Sequence, residues 1–419
     1  MLISARSIAA AILAVGSTQS ASAYTEMSLH DFCSEPDCVD GLTPSGGVVM
    51  DTSGTLYGAA AGGGKVHRGI VYSLVPHGSE YTFSVIYDLK DADGVEAPYG
   101  DLVLDRDGRL YGTVSDEYSQ GRGAVYQLTR NGSGWTFAVL HRFNGADGAT
   151  PLSGLTYSGQ VSGKRWDESS PLYGTTSAGG TNGKGLIYEL VRKDAAWTET
   201  VVHEFTSTAD PNAVLEDPGG NLWGTTQKGG KHEYGTLYRI ASGSRSATVF
   251  HDFCDARSCI DGAYPKGRLL MDESGNFYGT TSAGGLNCEA DRGCGAVFEF
   301  GSGGKYSVLY NFCPTGTCTD GDQPAAGLIM DRSGHLFGTA FWTGGSKDAL
   351  EGGNGLVFEL TNSSGAWSQS VLYDFCLKTN CTDGANPESE LTMDSSGNFF
   401  GTTHGYSIGA RGNVFELRR

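Results

Sequence analysis

The chain has 419 residues, of which 64 are glycine and only 12 are proline. Glycine is about twice as frequent as in an ordinary protein, and the low proline count indicates tight turns rather than a disordered tract. The absence of a three-residue glycine period excludes collagen. Acidic residues number 47 against 29 basic ones, a net charge of −18, which argues against nucleic-acid binding because Lys and Arg must neutralise the phosphates.

Residues 1–23 have the pattern of a secretory signal peptide. Arg6 precedes a short apolar run that ends at Gly16, and a polar stretch then ends in Ala21-Ser22-Ala23. This order predicts cleavage after Ala23. The apolar run is shorter than the about 20 residues that span a bilayer, so we expect a secreted or periplasmic protein without a membrane span.

An aromatic–glycine pair recurs about every 57 residues along the rest of the chain. Its copies are Tyr57-Gly58, Tyr111-Gly112, Tyr173-Gly174, Trp223-Gly224, Tyr278-Gly279, Phe337-Gly338 and Phe400-Gly401. The period is typical of a four-stranded propeller blade, whose known types have about 40 to 50 residues or more. The sequence therefore predicts an all-β fold, a seven-bladed β-propeller that occupies residues 24–419 as a single domain.

The fifth copy shows the four antiparallel strands of a blade, here named a to d, most clearly. Runs of aromatic and β-branched residues at Gly267–Asp272, Phe277–Thr281, Ala296–Phe300 and Tyr306–Phe312 are separated by turn residues, which is the pattern of consecutive hairpins. No segment has a sustained 3.6-residue period, so we expect almost no helix.

The seventh copy ends with its strand c, at Asn413–Arg419, and has no strand d after it. Met27–Phe32 matches the strands d at Val249–Phe253 and Val371–Phe375. We therefore expect Met27–Phe32 to be the outer strand of the seventh blade. This arrangement closes the ring with both ends of the chain and leaves no exposed sheet edge.

Each of the ten cysteines has another cysteine close to it in sequence. The pairs are Cys33/Cys38, Cys254/Cys259, Cys313/Cys318 and Cys376/Cys381 at C-x4-C spacing, and Cys288/Cys294 at C-x5-C. An even count in an exported chain favours disulfides. Zinc is the alternative, but structural zinc sites add a second Cys or His pair, and no His recurs beside these. We expect five local disulfides.

The repeats share the segments D-G-x-x-P, D-x-x-G-N-L-Y-G-T-T, G-G and V-F-E-L. The last copy shows them as Asp383-Gly384 with Pro387, Asp394–Asn398, Gly401–Thr403 and Val414–Leu417. In these segments the chain resembles the GloVer or Gloeo_Verruco tandem repeats of exported bacterial proteins. The resemblance implies a propeller and export. It implies no reaction, and therefore no catalytic residues.

The loops from d to a and from b to c leave an up-and-down blade at the same end, which we call the loop face. Irregular loops on a rigid scaffold usually carry function. The repeated aspartates of this face are Asp40, Asp93, Asp147, Asp261, Asp320 and Asp383. A carboxylate ring is a candidate for Ca²⁺, but aspartate followed by glycine is typical of turns, so no metal and no cofactor is predicted.

A site in a repeated ring must use residues that differ between the repeats. Such residues in the loop-face segments are His67, Arg68, Tyr118, Lys228, His232, Tyr234, Trp342, His404 and Tyr406. His67, His404 and Tyr406 are weak candidates for catalysis, because His or Tyr removes protons efficiently beside a cation. The others are weak candidates for binding, and solvated loop residues without a shared site are the simpler alternative. The segment Ser158–Pro171 is interpreted as a surface insertion on the opposite face.

The sequence favours a monomeric, noncatalytic binding module for an extracellular glycan or protein. A carbohydrate-active lyase or hydrolase with its site on the loop face is the first alternative. A structural component of the cell envelope is the second.

Overall fold

A computed structural model describes residues 24–116, 122–160, 163–194, 196–286, 288, 293–315, 318–343, 354–405 and 411–419. The predicted signal peptide lies outside these residues and stays a prediction. Helical structure among the described residues is limited to short 3-10 turns, at Pro36–Cys38, Asp91–Asp93, Arg257–Cys259 and Thr379–Cys381. None of the described helices is long and apolar enough to cross a bilayer.

The strands form seven antiparallel sheets, one for each predicted blade, which confirms the seven-bladed propeller. Blade 1 contains β2 (Leu42–Pro44), β3 (Val49–Met50), β4 (Leu56–Gly62), β5 (Ile70–His77) and β6 (Glu80–Asp88). Blade 2 contains β7 (Pro98–Leu104), β8 (Leu110–Val114), β9 (Ala124–Asn131) and β10 (Gly134–Arg142). Blade 3 contains β11 (Thr156–Tyr157), β12 (Leu172–Thr176), β13 (Leu186–Lys193) and β14 (Ala196–Glu204).

The remaining blades follow the same order from the axis outwards. Blade 4 contains β15 (Leu215–Glu216), β16 (Leu222–Thr226), β17 (Thr236–Ile240) and β18 (Ala247–Asp252). Blade 5 contains β19 (Ala263–Met271), β20 (Phe277–Ala283), β21 (Ala296–Phe300) and β22 (Tyr306–Asn311). Blade 6 contains β23 (Asp322–Pro324), β24 (Ile329–Met330), β25 (Leu336–Trp342), β26 (Leu356–Ser363) and β27 (Ala366–Asp374). Blade 7 contains β28 (Thr392–Met393), β29 (Phe399–Thr403), β30 (Asn413–Arg418) and β1 (Thr25–Asp31).

The N-terminal strand closes the ring as predicted. Strand β1 pairs antiparallel with β30, and Met27 lies opposite Glu416. Blade 7 also packs against blade 1 through apolar side chains, since Phe400 and Val414 share a buried cluster with Leu56 and Ile70. The first and last blades are therefore joined by both backbone pairing and a common core.

The aromatic–glycine pair of strand b has a packing explanation. A methyl group on Gly279 would lie 2.5 Å from the ring of Phe298, which strand c places across the sheet. The glycines of the other copies face an aromatic ring in the same way: Gly58, Gly112, Gly174, Gly224, Gly338 and Gly401 face Tyr72, Tyr126, Tyr188, Tyr238, Phe358 and Phe415. Glycine is required because the ring fills the space that a side chain would need.

The five predicted disulfides are present, and each closes a local loop. The loops of one face contact each other, because the amide of Gly64 donates to the carbonyl of Cys38 (3.0 Å) and that of Gly285 to Cys259 (2.9 Å). These contacts join b–c loops to d–a loops in blades 1 and 5. The assignment of both loop types to one face therefore holds there.

The insertion Ser158–Pro171 is more than a surface segment. Trp166 is only 2% exposed, and its ring centroid lies 4.8 Å from that of Tyr111. The hydroxyl of Tyr111 donates to Glu168 (2.7 Å). The described residues around Trp166 thus fold back and cover apolar surface between blades 2 and 3.

We expect Gly279→Ala to lower the free energy of unfolding by about 3 kcal/mol, because the added methyl group overlaps the ring of Phe298 in a close-packed core. Gly303→Ala is the matched control from the same blade, where an added methyl group meets nothing within 4 Å, and it should change stability by less than about 0.5 kcal/mol. Chemical denaturation measures both. Equal effects of the two substitutions would contradict the packing explanation.

Four of the facing rings are tyrosines whose hydroxyl groups are buried without a hydrogen-bond partner among the described residues, and Tyr126 is one of them. Burial raises the pKa of Tyr126 above its usual range. Because phenylalanine fills this position in blades 5 to 7, Tyr126→Phe should stabilise the protein by about 1 kcal/mol.

Tyr373→Phe is the opposite control, because the hydroxyl of Tyr373 donates to Asp383 (2.8 Å). Its removal should cost about 1 kcal/mol. Thermal and denaturant unfolding of both variants check the pair. A loss of stability in Tyr126→Phe would show that its hydroxyl has a partner, such as a buried water.

Candidate functional site

The repeated aspartates of the loop face accept hydrogen bonds from the turns that contain them. Asp383 accepts hydrogen bonds from the amides of Leu377 (3.0 Å) and Lys378 (3.3 Å) and from the hydroxyl of Tyr373. Asp40 accepts from the amide of Ser34 (3.0 Å). These carboxylates therefore accept hydrogen bonds from backbone amides and from strand-d side chains. This agrees with the role in turns that the sequence predicts for them.

The strand-d histidines lie beside the same aspartates. His30 Nε2 lies 3.3 Å from Asp40 and His251 Nε2 lies 3.1 Å from Asp261. His141 has the same relation to Asp147, at 3.3 Å. Burial lowers the pKa of His30 and His141, so their imidazoles are neutral at pH 7. These contacts give the strand-d histidines a structural role beside the repeated aspartates.

A polar concave surface of the loop face lies on the propeller axis, because all seven blades line it. The residue that follows the repeated proline of D-G-x-x-P lines a cavity of about 340 Å³ in all seven blades. These residues, which we call the mouth ring, are Ser45, Tyr99, Leu152, Asn212, Lys266, Ala325 and Glu388. All seven differ in type, so the repeats present seven different side chains at this equivalent position.

Threonines of strand b hold the mouth ring in place. The Thr280 hydroxyl lies 3.0 Å from the carbonyl of Lys266 in its own blade and 2.9 Å from that of Ala326 in the next. The Thr402 hydroxyl donates to the carbonyl of Gly46 across the ring closure (2.9 Å). The second residue of the G-T-T segment thus ties the inner strands of neighbouring blades together.

Glycines let the inner strands approach one another closely. The amide of Gly100 in blade 2 donates to the carbonyl of Ser45 in blade 1 (3.2 Å). A methyl group on Gly100, where φ is +68°, would lie 2.5 Å from the backbone nitrogen of Gly154 in blade 3. This backbone contact fixes the width of the channel.

A charged constriction lies below the mouth ring. Arg268 Nη2 lies 2.6 Å from Glu390 Oε1, and both side chains are largely buried. Asp101, on the same channel wall, accepts a hydrogen bond from the amide of Gly47 (2.6 Å). Burial raises the pKa of Glu390, although Arg268 opposes this shift. Beyond the constriction the channel widens into a cavity of about 740 Å³ on the opposite face.

His404 is the predicted candidate that the structure places in the channel mouth. It follows β29, and its amide donates to the carbonyl of Asn386 (2.9 Å). Burial lowers the pKa of its imidazole, and Glu388 opposes this shift. Lys266 Nζ lies 3.6 Å from Glu388 Oε1, and both are about one-third exposed or more. The mouth thus combines a neutral imidazole with an accessible cation and carboxylate.

The other predicted residues are dispersed over the loop face. His67 is exposed and does not line the mouth cavity, so the structure does not bring it into one pocket with His404. Arg68 pairs with Asp91 (2.6 Å) and Glu96 (2.5 Å).

The remaining binding candidates also have local partners. Lys228 pairs with Asp210 (2.6 Å) and His232 with Asp255 (3.0 Å). Tyr234 packs on Tyr264, and Trp342 packs on Phe341. Tyr118 and Tyr406 lie outside the described residues.

Sequence reasoning missed the mouth ring, although its signal is present in the sequence. Aligning the repeats on the proline of D-G-x-x-P makes the next residue conspicuous. It ranges from Lys266 to Glu388, whereas the residue before it is always proline and the residue after it is always Gly, Ala or Ser.

These features define the chain as an all-β propeller with a polar axial channel. The profile of the Gloeobacter/Verrucomicrobia repeat, Gleo_Verruco, matches residues 16–164 and 160–415. The chain therefore belongs to this repeat family. A search of curated proteins found no match.

Solved structures share the fold at low sequence identity. Virginiamycin B lyase from Staphylococcus aureus is 14% identical with a TM-score of 0.58, and the match covers 94% of this chain and 99% of that one. A streptogramin B lyase is 13% identical with a TM-score of 0.56, covering 94% and 98%. An ancestral GH74 enzyme is 9% identical with a TM-score of 0.59, covering 90% of this chain and 48% of that one. At such identities the likeness shows the fold alone.

We expect Arg268→Ala to destabilise the protein by about 2 kcal/mol, because it leaves the largely buried carboxylate of Glu390 without its cation. The double variant Arg268→Met/Glu390→Leu should recover most of this loss, because it removes both charges. Urea unfolding of the two variants measures the difference. A double variant less stable than Arg268→Ala would show that the pair is not the source of the effect.

Proposed function

We propose that the protein binds a polar unit of an extracellular glycan at the mouth of its axial channel, without catalysing a reaction on it. The observation that carries this proposal is the mouth ring, in which seven equivalent positions present seven different side chains to one cavity. A repeated scaffold that varies at the position facing a cavity provides an asymmetric surface, and specific recognition needs asymmetry.

The chemistry of the mouth suits a carbohydrate. Tyr99 contributes an aromatic ring, while Lys266 and Glu388 contribute an accessible charged pair. Ligand sites are concave surfaces of about 300–1,000 Å³ with a few placed polar groups, and the mouth cavity of about 340 Å³ lies in this range. One or two sugar residues would fill it. The predicted export of the chain brings it to such polymers.

The mouth is also preorganised for binding. Asn212 donates to the carbonyl of Pro265 (2.8 Å) and accepts from the side-chain amide of Gln227 (3.2 Å), so the amide group of Gln227 is held at the cavity. Side chains held in place before binding lose less conformational entropy when a ligand arrives.

A second candidate function is a lyase that acts on uronate-containing glycans at the same mouth. His404 favours it, because burial lowers the pKa of this imidazole and leaves it neutral at pH 7. A neutral imidazole accepts a proton from the carbon beside a carboxylate, and the ammonium group of Lys266 would neutralise that carboxylate. The C–O bond on the neighbouring carbon would then break, and its electron pair would leave with the departing sugar oxygen.

The test is a glycan array followed by titration of the retained glycan. Lys266→Ala and Glu388→Gln should each weaken binding about tenfold, the loss of about 1.4 kcal/mol expected for one polar contact. Lys305→Ala is the matched control, because Lys305 is exposed on the c–d hairpin at the other end of the blade. Unchanged affinity in both mouth variants would overturn the binding site.

The same glycans are incubated with the protein while the absorbance of unsaturated uronates is recorded. Binding without an increase in absorbance is the result that noncatalytic recognition predicts. An increase that His404→Gln abolishes while the affinity persists would establish the lyase instead.

A further inference from the structure

A second symmetry-breaking position lies far from the axis, where the strands d of neighbouring blades meet. One residue of each strand d faces the His or Tyr of the strand d before it. In blade 1 this residue is Phe83, stacked 3.5 Å from the ring of His30, and in blade 5 it is Tyr306, stacked 3.7 Å from His251. An aromatic ring therefore covers the imidazole at these two junctions.

Blade 3 carries a carboxylate at this position. Glu199 pairs with Leu190 in strand c, as Phe83 pairs with Leu74, so the registers are equivalent. Here the partner is His141 of blade 2, which lies beside Asp147. One ligand atom from each of these three side chains lies within 4.8 Å of the other two.

No cation among the described residues is paired with the carboxylate of Glu199. Glu199 Oε1 is a buried atom without a hydrogen-bond partner within the described part of the chain. The only other strand d with a carboxylate at this position among the described residues is β1, where Glu26 lies 2.6 Å from Lys378 Nζ. The loop between blades 6 and 7 thus supplies a cation for that carboxylate, whereas Glu199 forms no ion pair with a described residue.

The charges around Glu199 favour a cation. The carboxylates of Asp147 and Glu189 act on it electrostatically, and a bound cation would offset the repulsion among these carboxylates.

We propose that His141, Asp147 and Glu199 form a site for a divalent transition-metal ion, with Zn²⁺ the best match. One imidazole and two carboxylates are ligands that Zn²⁺ accepts, and three protein ligands leave a position for water. Ca²⁺ and Mg²⁺ prefer oxygen ligands alone, so the imidazole disfavours them. The ion would bridge blades 2 and 3 through the outer strands.

The three ligands are supported for this role. Asp147 Oδ1 accepts from the amide of Asn144 (2.7 Å) and its Oδ2 from the side-chain amide of Asn144 (2.7 Å), which fixes the carboxylate. Asp147 and His141 keep 17% and 19% of their side-chain surface accessible, so an ion can reach them. One ion at about 2.1 Å from each donor brings the donors about 3.4 Å apart, which small side-chain rotations provide.

The test is calorimetric titration of the chelator-treated, disulfide-bonded protein with ZnCl₂. We expect one tight site per chain, and an affinity at least about 100-fold lower in Glu199→Gln, because even residues that only support ligands contribute about 10- to 100-fold. Zinc should raise the melting temperature of the natural protein but not that of Glu199→Gln. CaCl₂ should do neither.

Two further variants make the result specific. Glu199→Phe recreates the ring of blade 1, so it should abolish zinc binding without impairing the fold. His251→Gln is the matched control, since His251 lies beside Asp261 but faces Tyr306 rather than a carboxylate, and it should keep the affinity. X-ray absorption of the zinc complex should show one imidazole ligand. Absence of a tight site in the natural protein, or equal affinity in Glu199→Gln, would overturn the proposal.

Discussion

The contact between the strand-b glycine and the strand-c aromatic ring is the constraint on which the rest of the structure depends. At Gly279 the ring of Phe298 occupies the space of a side chain, and the same contact recurs in every blade. It fixes the distance between the two middle strands on one face of the sheet. Because both middle strands are thereby set, the threonine after the glycine points toward the next blade, where its hydroxyl meets an inner-strand carbonyl.

This repeated framework explains why the sequence differences between blades that bear on function lie at two kinds of position. The strand-b glycine, the threonine after it and the strand-c aromatic ring are nearly invariant among blades, because each packs closely against a neighbouring residue. These residues are therefore not available to form a binding site. The residue after the repeated proline faces the axis, and the mid-strand residue of strand d faces the junction between blades. The first position lies in or next to the inner strands, and the second lies in the outer strands. Variation there changes chemistry without changing the fold, as the mouth ring and Glu199 illustrate.

The fold was predictable because its determinants recur. The aromatic–glycine pair, the cysteine spacing and the match of Met27–Phe32 to other strands d lead to seven blades, five disulfides and the closing strand. The site was less predictable, because sequence order does not show which residues of an inner strand face the axis. The loop candidates differ between repeats, but Arg68 and Lys228 pair locally instead of converging. The burial of Trp166 was not predicted, because its side chain packs against Tyr111, a residue of another repeat.

The central claim is that glycine is needed on strand b chiefly because the ring of strand c lies against it. A double-mutant cycle of Gly279→Ala and Phe298→Leu, followed by urea unfolding, tests this claim most directly. With leucine at position 298, the alanine at 279 should cost less than about 1 kcal/mol, because the overlapping ring atoms are gone. If alanine costs the same in both backgrounds, the glycine is required for another reason and the account of blade geometry fails.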